Sequence, residues 1–143
     1  YEGAIYGTEI TRGLDILKLI PSKYLSKNEI EAAALAYPLI GSRRLFNPQQ
    51  QVPMTWPAKP VVARAYIDQL MKDKALEEDT VERIIERLDL VDAAMEKGGN
   101  NRLARQLSRF ELSLDAPNVD AMTKLRLQKL NTTLKEIAEG LSK

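Results

Sequence analysis

Carboxylate side chains offer the first candidates for chemistry in this sequence. Asp89 and Asp92 stand three residues apart on a predicted helix, and paired carboxylates can act as acid and base in glycoside hydrolysis. Glu77, Glu78 and Asp79 form an acidic run that could suggest calcium, but the run lacks the alternating ligands and central glycine of a calcium-binding loop. Acidic residues before a helix are favoured by the helix dipole. We therefore interpret the pair as solvated and the run as structural, and we expect no metal site.

The 143-residue sequence contains no histidine and no cysteine. A Ser-His-Asp triad and a thiol nucleophile are therefore excluded, together with the commonest ligands for zinc and iron–sulfur clusters. A hydrolase would have to use carboxylate, lysine or tyrosine side chains, and nothing in their spacing indicates a pKa shifted toward neutrality. We expect no enzymatic activity and no cofactor, unless catalytic residues come from another part of a longer protein.

Three arginines could bind phosphate, since Arg102, Arg105 and Arg109 fall on one side of a predicted helix. The preceding helix carries a comparable acidic row: Glu82, Glu86 and Asp89. The net charge of the chain is only +1, and neither half has the strongly basic face that binding to a phosphate backbone requires. We interpret both rows as partners in interhelical ion pairs and expect no nucleic-acid partner.

The elements that would position these side chains are mostly helical. Apolar residues three and four apart predict four helices, over about residues 61–72, 79–97, 101–114 and 118–141. The apolar stripes comprise Val62, Tyr66, Ile67 and Leu70; Val81, Ile84, Ile85, Leu88, Val91 and Met95; Leu103, Leu107, Phe110 and Leu114; and Leu127, Leu130, Leu134, Ile137 and Leu141. Gly98 and Gly99 are expected to end the second helix as a left-handed cap. The pattern predicts a mainly α fold, with an antiparallel bundle of about four helices over residues 61–143.

Residues 21–60 are predicted to form a short helix and a proline-rich linker. Ser26 and Glu29 have the spacing of a capping box, and Pro38 is expected to stop the helix that follows. The prolines between residues 39 and 60 favour an extended, stiff segment. Trp56 is expected to pin this linker onto the helices, although residues 57–60 (PAKP) also match a PxxP ligand for an aromatic groove.

Residues 1–20 differ from the rest, because they alternate as a β-hairpin with strands over residues 4–10 and 14–20. The second strand is apolar on both faces, which is typical of a strand buried in a larger sheet, and an isolated two-stranded hairpin is marginally stable. We expect the hairpin to complete a sheet outside this chain. The alternative is a terminal arm that packs on the helices. The expected interaction residues are Ile5, Tyr6, Leu14, Ile16, Leu17 and Trp56.

Two segments resemble known families. Residues 5–10 (IYGTEI) and 12–19 (RGLDILKL) resemble the closing strands of secreted bacterial β-propellers with LVIVD-type repeats. Residues 61–114 look like a small helical module at the C-termini of bacterial extracellular proteins, through IDQL at 67–70, GGNN at 98–101 and LSRF at 107–110, with Lys74 and Ala75 departing from its usual glycine turn. These resemblances imply an extracellular or periplasmic location and a propeller upstream, and they carry over no catalytic residue.

The resulting hypothesis is a non-enzymatic stabilising or interaction module at the C-terminus of an exported β-propeller protein, and the first residue, Tyr1, is consistent with a piece of a larger chain. The alternative is a small helical subunit that docks on a partner protein by β-strand augmentation. No apolar run approaches the roughly 20 residues that cross a bilayer, so we expect no membrane-spanning segment.

Overall fold

A computed structural model describes residues 4–11, 13–38, 54–95, 97–110, 112 and 120–142. Within these ranges the fold is mainly helical and begins with a two-stranded antiparallel hairpin, as the sequence predicts. The elements in chain order are β1 (Ala4–Glu9), β2 (Gly13–Lys18), α1 (Lys27–Ala34), β3 (Tyr37–Pro38), β4 (Met54–Thr55), α2 (Pro60–Lys72), α3 (Glu78–Met95), α4 (Asn101–Ser108) and α5 (Ala121–Leu141). No helix in the described ranges has the length and apolar character needed to cross a membrane.

Helix α5 is the centre of the bundle, because it packs against α2, α3 and α4. Its predicted apolar stripe is confirmed in full, since Leu127, Leu130, Leu134, Ile137 and Leu141 are all buried in one core with side chains of the other three helices. The periodicity of the stripe places these five side chains on one side of the helix, where they remove apolar surface from water.

Helix α3 follows its predicted stripe with one exception. Ile84, Leu88 and Val91 are buried, but Met95 is half exposed and Ala94 takes the buried place in the last turn. Ala94 lies three residues after Val91 and therefore falls on the buried face of the helix, whereas Met95 lies beyond the edge of that face. The predicted glycine cap is confirmed: Gly98 and Gly99 both have positive φ angles, and the Gly99 N–H donates to the Ala94 carbonyl over 3.0 Å.

Helix α4 is shorter than predicted, because it ends at Ser108 and not at Leu114, which lies outside the described residues. Leu103 and Leu107 are buried as expected, and Phe110 packs partly against the core. Beyond the helix, the main chain of Leu112 is held by a side chain of α5 and does not take part in a helical hydrogen-bond ladder.

Helix α1 forms a smaller layer on the outer side of α2. The Ser26 and Glu29 capping box is confirmed, and Ala32 of α1 packs against Val62 and Ala65 of α2. The helix already ends at Ala34, ahead of Pro38, which instead pairs with Met54 in a short two-residue ladder. This ladder holds the described end of the proline-rich linker beside the helices.

The hairpin strands are confirmed, although each ends earlier than predicted, at Glu9 and at Lys18. Glu9 pairs with Gly13, so three residues connect the strands, and Gly13 takes a φ of +90° that favours glycine. Within the described part of the chain, the hairpin packs against no helix and no other strand. The alternative of a terminal arm that packs on the helices is therefore wrong for these residues.

Candidate interaction surfaces

The hairpin exposes apolar side chains on both of its faces. Tyr6 lies opposite Ile16 on one face, and Ile5 lies opposite Leu17 on the other. These four residues and Leu14 keep between 49% and 63% of their surface exposed. The hairpin residues singled out from the sequence are thus together and accessible, as a docking role requires.

Each strand of the hairpin pairs only with the other strand in the described part of the chain. A two-stranded sheet presents an outer edge on each strand, and an exposed edge is a template for pairing with a further strand. Apolar faces and open edges occur here in the same small element. This combination suits the hairpin to insertion in a larger sheet.

A second candidate surface is a groove formed by α1, α2 and α5, with a volume of about 570 Å³. We refer to it as the α5 groove. Its lining includes small and apolar residues, namely Ala32 and Ala33 of α1 and Val62 and Ala65 of α2, of which all but Ala33 are buried. Small side chains let α1 and α2 approach closely.

Trp56 and Met54 of the proline-rich linker line the α5 groove together with Tyr66. Trp56 is 38% exposed, so the larger part of the residue is covered. Its position agrees with the expectation that it anchors the linker on the helices. The structure does not bring Trp56 to the hairpin, so the predicted interaction residues divide between two separate surfaces.

Met122 and Leu125 of α5 also line the groove, and neither residue is predicted from the sequence. They lie off the buried stripe of α5 and remain 55% and 44% exposed. A signal was present, because two apolar residues three apart interrupt an otherwise polar helix face. Their partners on α1 and α2 could not be read from spacing within α5.

Three charged groups line the α5 groove. The carboxylate of Glu29 accepts hydrogen bonds from the main chain of Ser26 and from Lys72. Burial acts to raise the pKa of Glu29, but the hydrogen bonds, led by that from Lys72, outweigh it and lower the pKa. Arg126 donates to Asp73 over 2.6 Å. Lys129 forms no ion pair with any residue that the structure describes.

Asp89 and Asp92 are exposed, as the sequence suggests, but they also form ion pairs that the sequence did not indicate. Both carboxylates bind Arg64 of α2, over 2.6 and 2.8 Å. Burial acts to lower the pKa of Arg64, but the two aspartates outweigh it and raise the pKa. This arrangement clamps α2 to α3, and carboxylates held by one guanidinium are poorly suited to act as acid and base.

The ion-pair interpretation of the arginine row is wrong for the described residues. No ion pair there joins Arg102, Arg105 or Arg109 to the acidic row on α3, and Asp89 binds Arg64 instead. Arg102 and Arg105 of α4 and Arg109 directly after it are exposed and lie beside Gln106. No group of three acidic residues in the described ranges is arranged to hold a metal ion.

Comparisons of this chain with protein-family models, with curated proteins and with solved structures found no match. The two surfaces are therefore the features from which a function can be inferred.

Proposed function

We propose that this chain is a non-enzymatic interaction module whose hairpin completes a β-sheet supplied by a protein partner. The observation that carries the proposal is the exposure of Ile5, Tyr6, Ile16 and Leu17 on two opposite faces of an element that contacts no other described element. Exposed apolar surface on both faces of a two-stranded sheet is unfavourable in water, and pairing within a larger sheet removes it.

The partner sheet in this proposal belongs to the preceding part of a longer exported bacterial protein, as the likeness of residues 5–19 to the closing strands of LVIVD-type propellers suggests. The helical bundle then acts as a stabilising body beside the propeller, in the extracellular space or the periplasm. The intact mass of the natural protein tests this part of the proposal, because a propeller upstream requires a mass far above the 16.1 kDa of this chain.

A second candidate is a separate helical subunit that adds its hairpin to the sheet of a neighbouring protein. It is favoured by the core of α2 to α5, which is closed without any contribution from the hairpin. A natural protein with the mass of this chain would support this candidate and contradict the propeller.

Hydrogen–deuterium exchange tests the docking of the hairpin. We expect its main-chain amides to exchange rapidly in the chain alone, since an isolated hairpin is marginal, and slowly in the natural assembly. Ile16→Lys and Leu17→Lys, one on each face, should prevent protection in the assembly. Ile10→Lys is the matched control, because Ile10 lies fully exposed at the hairpin tip. Amides of the hairpin that exchange equally fast in the assembly would contradict the proposal.

A further inference from the structure

We propose that the α5 groove is a second docking site, separate from the hairpin, and that it binds an amphipathic protein helix with an acidic side chain beside its apolar face. This proposal goes beyond the docking of the hairpin and does not depend on it. The two surfaces share no residue, and the hairpin contacts none of the helices that form the groove.

The shape of the α5 groove favours a helix over a small molecule. Small-molecule sites usually enclose most of the ligand, whereas this groove is partly open to solvent. An amphipathic helix fits such a surface, because it buries one apolar face and leaves the opposite face in water.

The larger apolar side chains of the groove also have the composition of a protein interface. Met54, Trp56, Met122 and Leu125 each leave more than a third of their surface exposed. Methionine and tryptophan are enriched at interfaces, and the flexible methionine side chain adapts to different apolar partners. These side chains would be covered by the apolar residues of an incoming helix, spaced three and four apart.

The charges of the groove select an acidic partner. Glu29 is neutralised by Lys72, and Arg126 is neutralised by Asp73. Lys129 is the lining charge without an ion-pair partner among the described residues, so the groove offers one positive charge to its occupant. A carboxylate beside the apolar face of the incoming helix would meet this charge.

The position of Lys129 also orients the occupant. Two turns further along α5, Glu136 lines the neighbouring concavity together with Lys129, Met54 and Trp56. An acidic side chain placed toward Glu136 would be repelled. The acidic residue of the occupant therefore lies on the side of Lys129 away from Glu136.

Fluorescence anisotropy with the full chain tests the proposal. The probe is a labelled, designed 14-residue amphipathic helix with leucines three and four apart and glutamates flanking them. The comparison probes are the same peptide with lysine for every glutamate, and a scrambled acidic peptide. We expect the acidic helix to bind at least about tenfold more tightly than either comparison peptide, a difference of about 1.4 kcal/mol.

Charge-reversal variants test whether the acidic helix binds beside Lys129. Lys129→Glu should weaken binding of the acidic helix by about five- to tenfold and should strengthen binding of the lysine peptide. Lys124→Glu is the matched control, because Lys124 is an exposed lysine of the same helix outside the groove. It should change both affinities by less than about twofold.

Substitutions of apolar residues distinguish binding in the α5 groove from binding at other exposed apolar surfaces. Leu125→Ala should weaken binding of the acidic helix by about tenfold, whereas Leu90→Ala on α3 and Ile16→Lys on the hairpin should leave it unchanged. Circular dichroism of every variant verifies that the helices remain folded.

Several results would overturn the proposal. They are failure of the acidic helix to bind, equal affinity for all three peptides, and equal losses from Lys129→Glu and Lys124→Glu. Loss of binding in Ile16→Lys would move the site to the hairpin. Saturable binding of decanoate that depends on Lys129, without binding of the acidic helix, would assign the groove to a small amphiphile.

Discussion

The side-chain amide of Asn131 forms two hydrogen bonds with the main chain of Leu112. The Leu112 N–H donates to Oδ1 of Asn131, and Nδ2 of Asn131 donates to the Leu112 carbonyl, each over 3.0 Å. Both residues are buried. One side chain of α5 thus satisfies both main-chain groups of a residue in the segment after α4, as a neighbouring strand would do.

Asn131→Ala should lower the free energy of unfolding by about 2–4 kcal/mol, because it leaves a buried N–H and a buried carbonyl without partners. Urea denaturation measures this loss. Gln128→Ala is the control, since Gln128 is an exposed amide one turn earlier on the same helix. A loss below about 0.5 kcal/mol in Asn131→Ala would mean that water replaces both hydrogen bonds.

Gly99 lies against the end of α5, and it has a φ of +105°. A Cβ atom at this position would lie 2.8 Å from the carbonyl oxygen of Leu141, which also accepts a hydrogen bond from the Asn100 N–H. Gly98 has a similar φ of +90°, but a Cβ there would meet nothing within 4 Å.

The pair of glycines therefore separates backbone strain from a steric clash. Gly98→Ala should cost about 1 kcal/mol for its left-handed conformation. Gly99→Ala should cost at least about 1 kcal/mol more, since α5 must shift to remove the clash. Thermal unfolding of both variants measures the difference in stability. Equal losses would show that the end of α5 shifts without cost.

The Glu29 carboxylate should make stability depend on pH. Its pKa lies below the ordinary value of 4.5, so its contribution is present above that value and is lost as the pH falls through the folded-state pKa. Glu29→Gln should therefore cost about 1–2 kcal/mol at pH 7 and progressively less below pH 4.5.

Denaturant unfolding of the wild type and of Glu29→Gln between pH 2 and pH 7 measures this dependence. Glu31→Gln is the matched control, because Glu31 forms an exposed ion pair with Lys27 over 3.6 Å. It should change the free energy of unfolding by less than about 0.5 kcal/mol. A Glu29→Gln loss that does not change with pH would show that packing, and not charge, is responsible.

Leu107 and Leu130 are fully buried in the core that joins α2 to α5. Replacing either residue by Ala should cost about 2–5 kcal/mol, through lost burial and the cavity that remains. Leu90→Ala removes the same atoms from an exposed site of α3 and should change stability by less than about 0.5 kcal/mol. Urea denaturation measures these changes in the free energy of unfolding. Equal losses from Leu90→Ala and Leu130→Ala would contradict the assignment of Leu130 to the core.

Features that depend on a few neighbouring residues were determined by the sequence. The apolar spacing along α5 predicts its buried stripe, because a helix brings residues three and four apart onto one face. Ser26 and Glu29 predict the start of α1 in the same way, since both groups of a capping box lie within one turn. The alternation from residue 4 to residue 18 predicts the hairpin and its two apolar faces.

Features that depend on distant residues were decided only by the tertiary structure. Helix α4 ends early beside a main chain that Asn131 holds from 19 residues away. Arg64 lies 25 residues from Asp89, so the spacing within α3 gave no sign of their ion pair. The α5 groove exists only where Trp56, α1, α2 and Leu125 meet. Local periodicity describes the face of one helix, whereas a groove or a buried hydrogen bond requires the packed arrangement of several.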